Sequence, residues 1–167
     1  MMASRFARWA LRSPHMSTLT TPQNASVLST PLRHCSGITY LEDVDGVPPP
    51  GAFSRATVHG GRVFVSGIGG AGNDTATGTV EMLTVRQETS NALHNVATVL
   101  RAAGSSPDRI ISATMLLTDK ADYAECNAAY VDFFAAHGGH SLPSRSTALW
   151  GVPTIARVAF SVIAASV

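Results

Sequence analysis

Charge is scarce in this 167-residue chain: only 14% of residues are Asp, Glu, Lys or Arg, and 12 basic against 11 acidic ones leave a net charge of +1. A dedicated nucleic-acid binder carries a basic stripe that neutralises phosphates, and this balance argues against one. Cysteine is rarer still. Cys35 and Cys126 stand in no C-x-x-C or Cys/His pattern, so neither a disulfide framework nor a structural zinc site is indicated. No uncharged apolar run reaches the roughly 18 residues that a transmembrane helix needs. What the chain does have is apolar bulk, 45% of residues, enough to bury the core of one domain and too much for a disordered chain. The expectation is a soluble single domain from a reducing compartment.

Acid is missing altogether from the N-terminal part, where Glu42 is the first acidic residue and Arg5, Arg8, Arg12 and Arg33 precede it among many Ser and Thr. Arginine-rich, hydroxyl-rich and acid-free is the composition of a mitochondrial transit peptide. Phe6, Trp9 and Ala10 make one short apolar helical face beside those arginines. The plainer readings are a disordered extension, or a start at Met16 instead. Residues 1–35 are therefore set apart from a body of 36–167, and the location is read as mitochondrial or cytoplasmic.

The body alternates strand and helix patterns. Ala56 to His59 and Arg62 to Ser66 are β-rich runs separated by Gly60-Gly61, a two-residue hairpin signal. Gly67 to Gly72 reads as a flexible loop. Thr84-Val85-Arg86-Gln87 fits a capping box, apolar residues then recur at helical spacing to Ala103, and Gly104 closes the helix. Arg109 to Thr118 reads as a strand. A second helix starts near Asp122 with a cap-like Asp-x-x-Glu, and Tyr123, Cys126, Tyr130, Phe133, Phe134 and His137 fall on one face. Arg145 to Trp150 and Ile155 to Ala164 read as two last strands around Gly151-Val152-Pro153.

The order β-β-α-β-α-β-β predicts an α+β domain: one mixed sheet with both helices on one face. In the last run Val158, Phe160 and Val162 alternate with Ala159, Ser161 and Ile163, so the strand is small or apolar on both sides. Helices for one face only leave the other to be covered by a partner subunit, or by the N-terminal tail folded over it.

Five segments stand together in a recognisable order and spacing: Arg62 to Gly67, Ala102 to Ser106, Thr118 to Tyr123, Asn127 to Phe134, and Leu142-Pro143-Ser144-Arg145-Ser146. In these the chain resembles the Rid family, also called YjgF or RutC, the reactive-intermediate deaminase A proteins, over about residues 50–165. The resemblance implies a chorismate-mutase-like α/β fold, a homotrimer with ligand clefts between neighbouring subunits, and hydrolysis of 2-imino or enamino acids to 2-keto acids and ammonia. It implies no metal and no cofactor.

Residue by residue, Arg145 matches the family's carboxylate-binding arginine, whose planar fork grips a carboxylate through two parallel hydrogen bonds. Ser66, Gly67 and Asn127 match positions lining the cleft. Phe53 stands where many members carry a tyrosine, and Thr147 where many carry a cysteine. The six histidines form no triad or metal-ligand spacing. One departure is plain. Active deaminases of the family carry a glutamate at the position that matches Ala159, and Val158 to Val162 contains no acid. Lacking that acid, and with Phe53, Ile68 and Trp150 in place, the chain also fits a Rid-fold enzyme recruited to a larger substrate in specialised metabolism. A third fit is a non-catalytic trimer that senses a carboxylate metabolite through Arg145.

Overall fold

In the computed structural model the described residues are 32–35, 37–48, 50–73, 80–138, 141–149, 151 and 155–167. The N-terminal arginines, Trp150 and Pro153 lie outside them. The first strands are β1 (Leu32–Cys35) and β2 (Ile38–Leu41), paired antiparallel. Strand β1, from the end of the segment 1–35, lies at the edge of the body's sheet beside β2.

The predicted hairpin is β3 (Ala56–His59) and β4 (Arg62–Gly69). Gly60 and Gly61 sit at φ +56° and +72°, a backbone that only glycine adopts without strain. The strand β4 runs three residues further than its sequence indicates. After a bulge between Val65 and Ile68, Ile68 and Gly69 pair with Phe160 and Ala159. Gly67 to Gly69 are thus strand and not loop, since a ladder partner outweighs their low strand propensity. A short ribbon, β5 (Gly72–Asn73) with β6 (Val80–Glu81), follows.

The helix α1 (Val85–Ala102) has the capping box its sequence predicts: Thr84 Oγ1 accepts from the Gln87 amide, and the Gln87 side chain accepts from the Thr84 amide. At its other end Gly104, at φ +74°, lets the Ser105 amide return to the Leu100 carbonyl at 2.8 Å. The strand β7 (Ile110–Leu117) leads through a 3-10 turn into α2 (Tyr123–Ala136). The Asp122 cap does not form. Asp122 enters with near-helical dihedrals (φ −76°, ψ −10°) and makes no side-chain cap bond, while Asp119 caps the preceding turn by accepting from the Ala121 amide at 2.8 Å.

The last strands are β8 (Ser144–Leu149) and β9 (Val158–Ala165). Residues 155–157 are not strand, because the Arg157 amide is taken by the Glu88 carboxylate instead of a ladder carbonyl.

The seven-stranded sheet has the order β1-β2-β3-β4-β9-β7-β8. Only β7 and β8 run parallel, so the sheet is mixed as predicted. Both helices lie on one face, over Val63, Val65, Met115, Phe160 and Val162, all buried. On the other face Phe64 and Ile163 are register partners and remain 40% and 36% exposed. That surplus apolar face is the one anticipated from the alternation in β9.

Candidate functional site

Arg145 projects from β8, the strand at one edge of the sheet, toward α2. Its register partner is the buried Ala113, so it shares the helix-covered face. Three side chains of α2 receive it. Nη2 donates to Asn127 Oδ1 at 2.8 Å and to Tyr123 Oη at 3.3 Å, and the guanidinium carbon lies 4.5 Å from the centre of the Tyr130 ring. Tyr123, Asn127 and Tyr130 stand four and three residues apart, the spacing that aligns side chains on one side of a helix.

The electrostatics follow from that inventory. An arginine cannot shed its proton, and both acceptors here are neutral. Among the described residues no carboxylate forms an ion pair with Arg145, in contrast to Arg86 and Arg157, which pair with acids. The Tyr130 ring adds a cation–π contact. Its hydroxyl is buried without a hydrogen-bond partner, and burial pushes its pKa up while Arg145 pulls it down. Arg145 is therefore a positioned cation whose charge no acid among the described residues satisfies.

Beside it opens a cleft of about 420 Å³ lined by Leu117, Lys120, Tyr123, Thr147 and Leu149. Thr147 lies two residues beyond Arg145 on the same strand and so on the same face. The cleft is mostly apolar, and Tyr123, which both lines it and accepts from Arg145, joins the two.

The remaining predicted site residues lie elsewhere. Ser66 and Gly67 belong to β4, three strand spacings from β8, or roughly 14 Å. The Ser66 hydroxyl donates to the Ser54 carbonyl at 2.6 Å and its amide to the Arg55 carbonyl at 2.9 Å, so Ser66 pins the segment ahead of β3. Gly67 is exposed at the bulge, and Phe53, in that pinned segment, is 53% exposed. One chain thus brings together Arg145, Asn127 and Thr147, and holds Phe53, Ser66 and Gly67 as a separate group. Ala159 lies buried in β9 between Gly69 and Leu116, with no acid in its strand.

The sequence reading placed Tyr123 and Tyr130 on one helix face and missed their part in seating Arg145. The signal was their spacing around Asn127. Cys126 is no candidate nucleophile: it is buried, receives a hydrogen bond from Thr89 Oγ1 at 3.2 Å, and burial pushes its thiol above the usual range. Native protein should leave Cys126 unlabelled by iodoacetamide, with labelling after denaturation, as read by peptide mass mapping. Among the described residues no three His, Cys, Asp or Glu side chains cluster to hold a metal, and no helix is long and apolar enough to cross a membrane.

The fold and this cluster define a class: a small α+β domain that displays a seated, uncompensated guanidinium at a sheet edge beside an apolar cleft. Residues 45–162 match the family model described as Endoribonuclease L-PSP, and the chain belongs to that family, the Rid/YjgF family of the sequence resemblance. It is 31% identical over 96 residues to 2-iminobutanoate/2-iminopropanoate deaminase of Bos taurus, covering 58% of this chain and 66% of the relative. It is 30% identical over 101 residues to the mitochondrial protein mmf2 of Schizosaccharomyces pombe, covering 60% and 74%. The crystal structure of Escherichia coli TdcF with bound serine superposes with a TM-score of 0.64 at 28% identity, covering 72% of this chain and 93% of that one.

Proposed function

We propose that this chain is a cofactor-independent deaminase that hydrolyses small 2-imino or enamino carboxylates to 2-keto acids and ammonia, in clefts between the subunits of a homotrimer. The observation that carries the reading is Arg145, charged, held by neutral acceptors and free of any acid partner among the described residues. A bidentate carboxylate would complete that guanidinium. The deaminase relative and the serine-bound neighbour support a small carboxylate as the ligand.

With the carboxylate on Arg145, the imine carbon would lie along β8 toward Thr147. The Thr147 hydroxyl can accept from or donate to the attacking water there. Water adds to the C=N carbon, the resulting carbinolamine expels ammonia, and the 2-keto acid remains; the sequence is redox-neutral and consumes one water. Ala159 supplies no base, and a missing general base costs about 10²- to 10⁴-fold in rate. Imines hydrolyse readily unaided, so binding and orientation still yield turnover. The distance between the Arg145 and the Phe53–Ser66–Gly67 groups supports a cleft completed by a second copy, and the apolar Phe64–Ile163 face supports the contact. The arginine-bearing, acid-free composition of residues 1–35 and the mitochondrial relative support a mitochondrial location.

The test generates 2-iminobutanoate with an amino-acid oxidase and traps it with semicarbazide. Suppression of trapping by the full chain, with a light-scattering mass three times that of one subunit, is the expected result. A folded trimer that matches the enzyme-free control would end the deaminase reading. The acid-free β9 and the apolar 420 Å³ cleft would then favour the same carboxylate site serving a larger substrate, or serving as a sensor.

A further inference from the structure

A second arginine is placed more unusually than Arg145. Arg55 is only 5% exposed, and its Nε is buried with no hydrogen-bond partner. Burying a guanidinium nitrogen without a partner is costly, and native proteins keep such groups where something else completes them. Its backbone is fully used: the amide donates to the Leu41 carbonyl at 2.7 Å, and the carbonyl accepts from Ser66. The side chain opens into a cavity of about 140 Å³ walled by Ile68, Gly69, Ile155 and Ala156. A Cβ on Gly69 would come within 2.8 Å of the Ala156 Cβ, so only glycine lets these two walls of the cavity pack this closely. Asp43 is the acid whose charge acts on Arg55, yet its Oδ1 accepts from the Val44 amide and no ion pair joins the two. Among the described residues that line it, Arg55 is the one with a charged side chain, and the side chains of Pro48, Ile68, Ala71, Ile155 and Ala156 are apolar.

We infer that Arg55 is a second carboxylate-binding group, so that the preferred ligand is a dicarboxylate, with one carboxylate on Arg55 and the other on Arg145 of a neighbouring copy. The inference rests on the proposed intersubunit cleft. Arg55 stands two residues from Phe53 and its carbonyl accepts from the Ser66 amide, so its backbone belongs to the group that the cleft would bring to a neighbour's Arg145. The same half of the site offers no acid at Ala159 that would repel a second negative charge. Small monocarboxylates would fill the Arg145 end alone, whereas a four- or five-carbon diacid would reach both cations.

Calorimetric titration of the full chain with succinate, 2-oxoglutarate and 2-oxobutanoate tests this, with Arg55→Met and Arg145→Ala beside wild type. Wild type should bind a diacid at least about 10-fold more tightly than 2-oxobutanoate, the increment of one charge-assisted contact. Arg55→Met should erase that preference and leave 2-oxobutanoate affinity unchanged. Wild type that does not prefer diacids overturns the inference without reference to any variant. So does an Arg55→Met protein that keeps the preference, or one that loses its assembly while wild type shows no diacid preference, which would make Arg55 a subunit contact. Failure of the underlying reading looks different: Arg145→Ala would then leave 2-oxobutanoate affinity intact. Thermal melts provide a second readout, because Arg55→Met removes a desolvated charge. Unliganded Arg55→Met should melt no lower than wild type and lose the stabilisation that succinate gives wild type.

Discussion

Arg145→Ala should weaken 2-oxobutanoate binding by about 100-fold or more and abolish measurable turnover. The magnitude follows from two charge-assisted hydrogen bonds at about 1.5 to 3 kcal/mol each, with about 1.4 kcal/mol per decade of affinity. Arg145→Lys separates charge from shape. It retains the cation but loses the planar fork and the stacking on Tyr130, so roughly a tenth of the affinity should remain at best. Tyr130→Phe serves as the control for that stacking: it keeps the ring and removes only a hydroxyl that has no partner, so affinity should hold. Asn127→Ala should fall between, since the guanidinium loses its 2.8 Å anchor but not its charge. Calorimetry on the four variants orders them, and an Arg145→Ala protein that binds like wild type would remove the carboxylate role.

Much of this architecture was legible because local and tertiary preferences agree. The capping box at Thr84, the Gly60-Gly61 hairpin and the β7 run each have one favourable conformation, and the fold uses it. Where the sequence misled, a partner distant in the chain intervened. Gly67 to Gly69 look like a loop until β9 is placed beside them, and Asn95 then fixes the Gly69 carbonyl from α1 at 3.1 Å. Likewise Asp122 looks like a cap, but a 3-10 turn delivers it already helical and turns its carboxylate to Arg157, 3.8 Å away. The site divided in the same way. Arg145 and Asn127 carry their chemistry in their own side chains and could be named from sequence. Arg55 could not, because its interest lies in what fails to surround it, and only the packed chain shows that.

Glu88→Ala should destabilise the fold by about 2 to 4 kcal/mol and lower the melting temperature by roughly 10 °C, at about 2 to 4 °C per kcal/mol for a chain of this size. Glu88 is a buried acid in the first turn of α1, and its carboxylate gathers the start of β9. Oε1 accepts from the amides of Arg157 and Val158, and Oε2 from Arg157 Nε at 3.3 Å. Arg157 in turn donates to the Leu83 carbonyl at 3.0 Å and reaches Asp122 at the head of α2. Glu88, with Arg157, therefore ties both helix starts to the interior strand β9. The ion pair itself contributes modestly, since the Arg157 side chain is 41% exposed and solvent screens it. The larger loss is two backbone amides left without an acceptor where a ladder carbonyl does not reach. Glu88→Gln decides between these accounts. Its amide oxygen keeps the acceptor for Arg157 and Val158 while the charge goes, so it should recover most of the stability that Glu88→Ala loses. Equal destabilisation of the two variants in a thermal melt would shift the weight to the charge. Carboxylate affinity at Arg145 should change little in Glu88→Gln, because Tyr123 and Asn127 follow the position of α2, and α2 follows the backbone ties more than the charge.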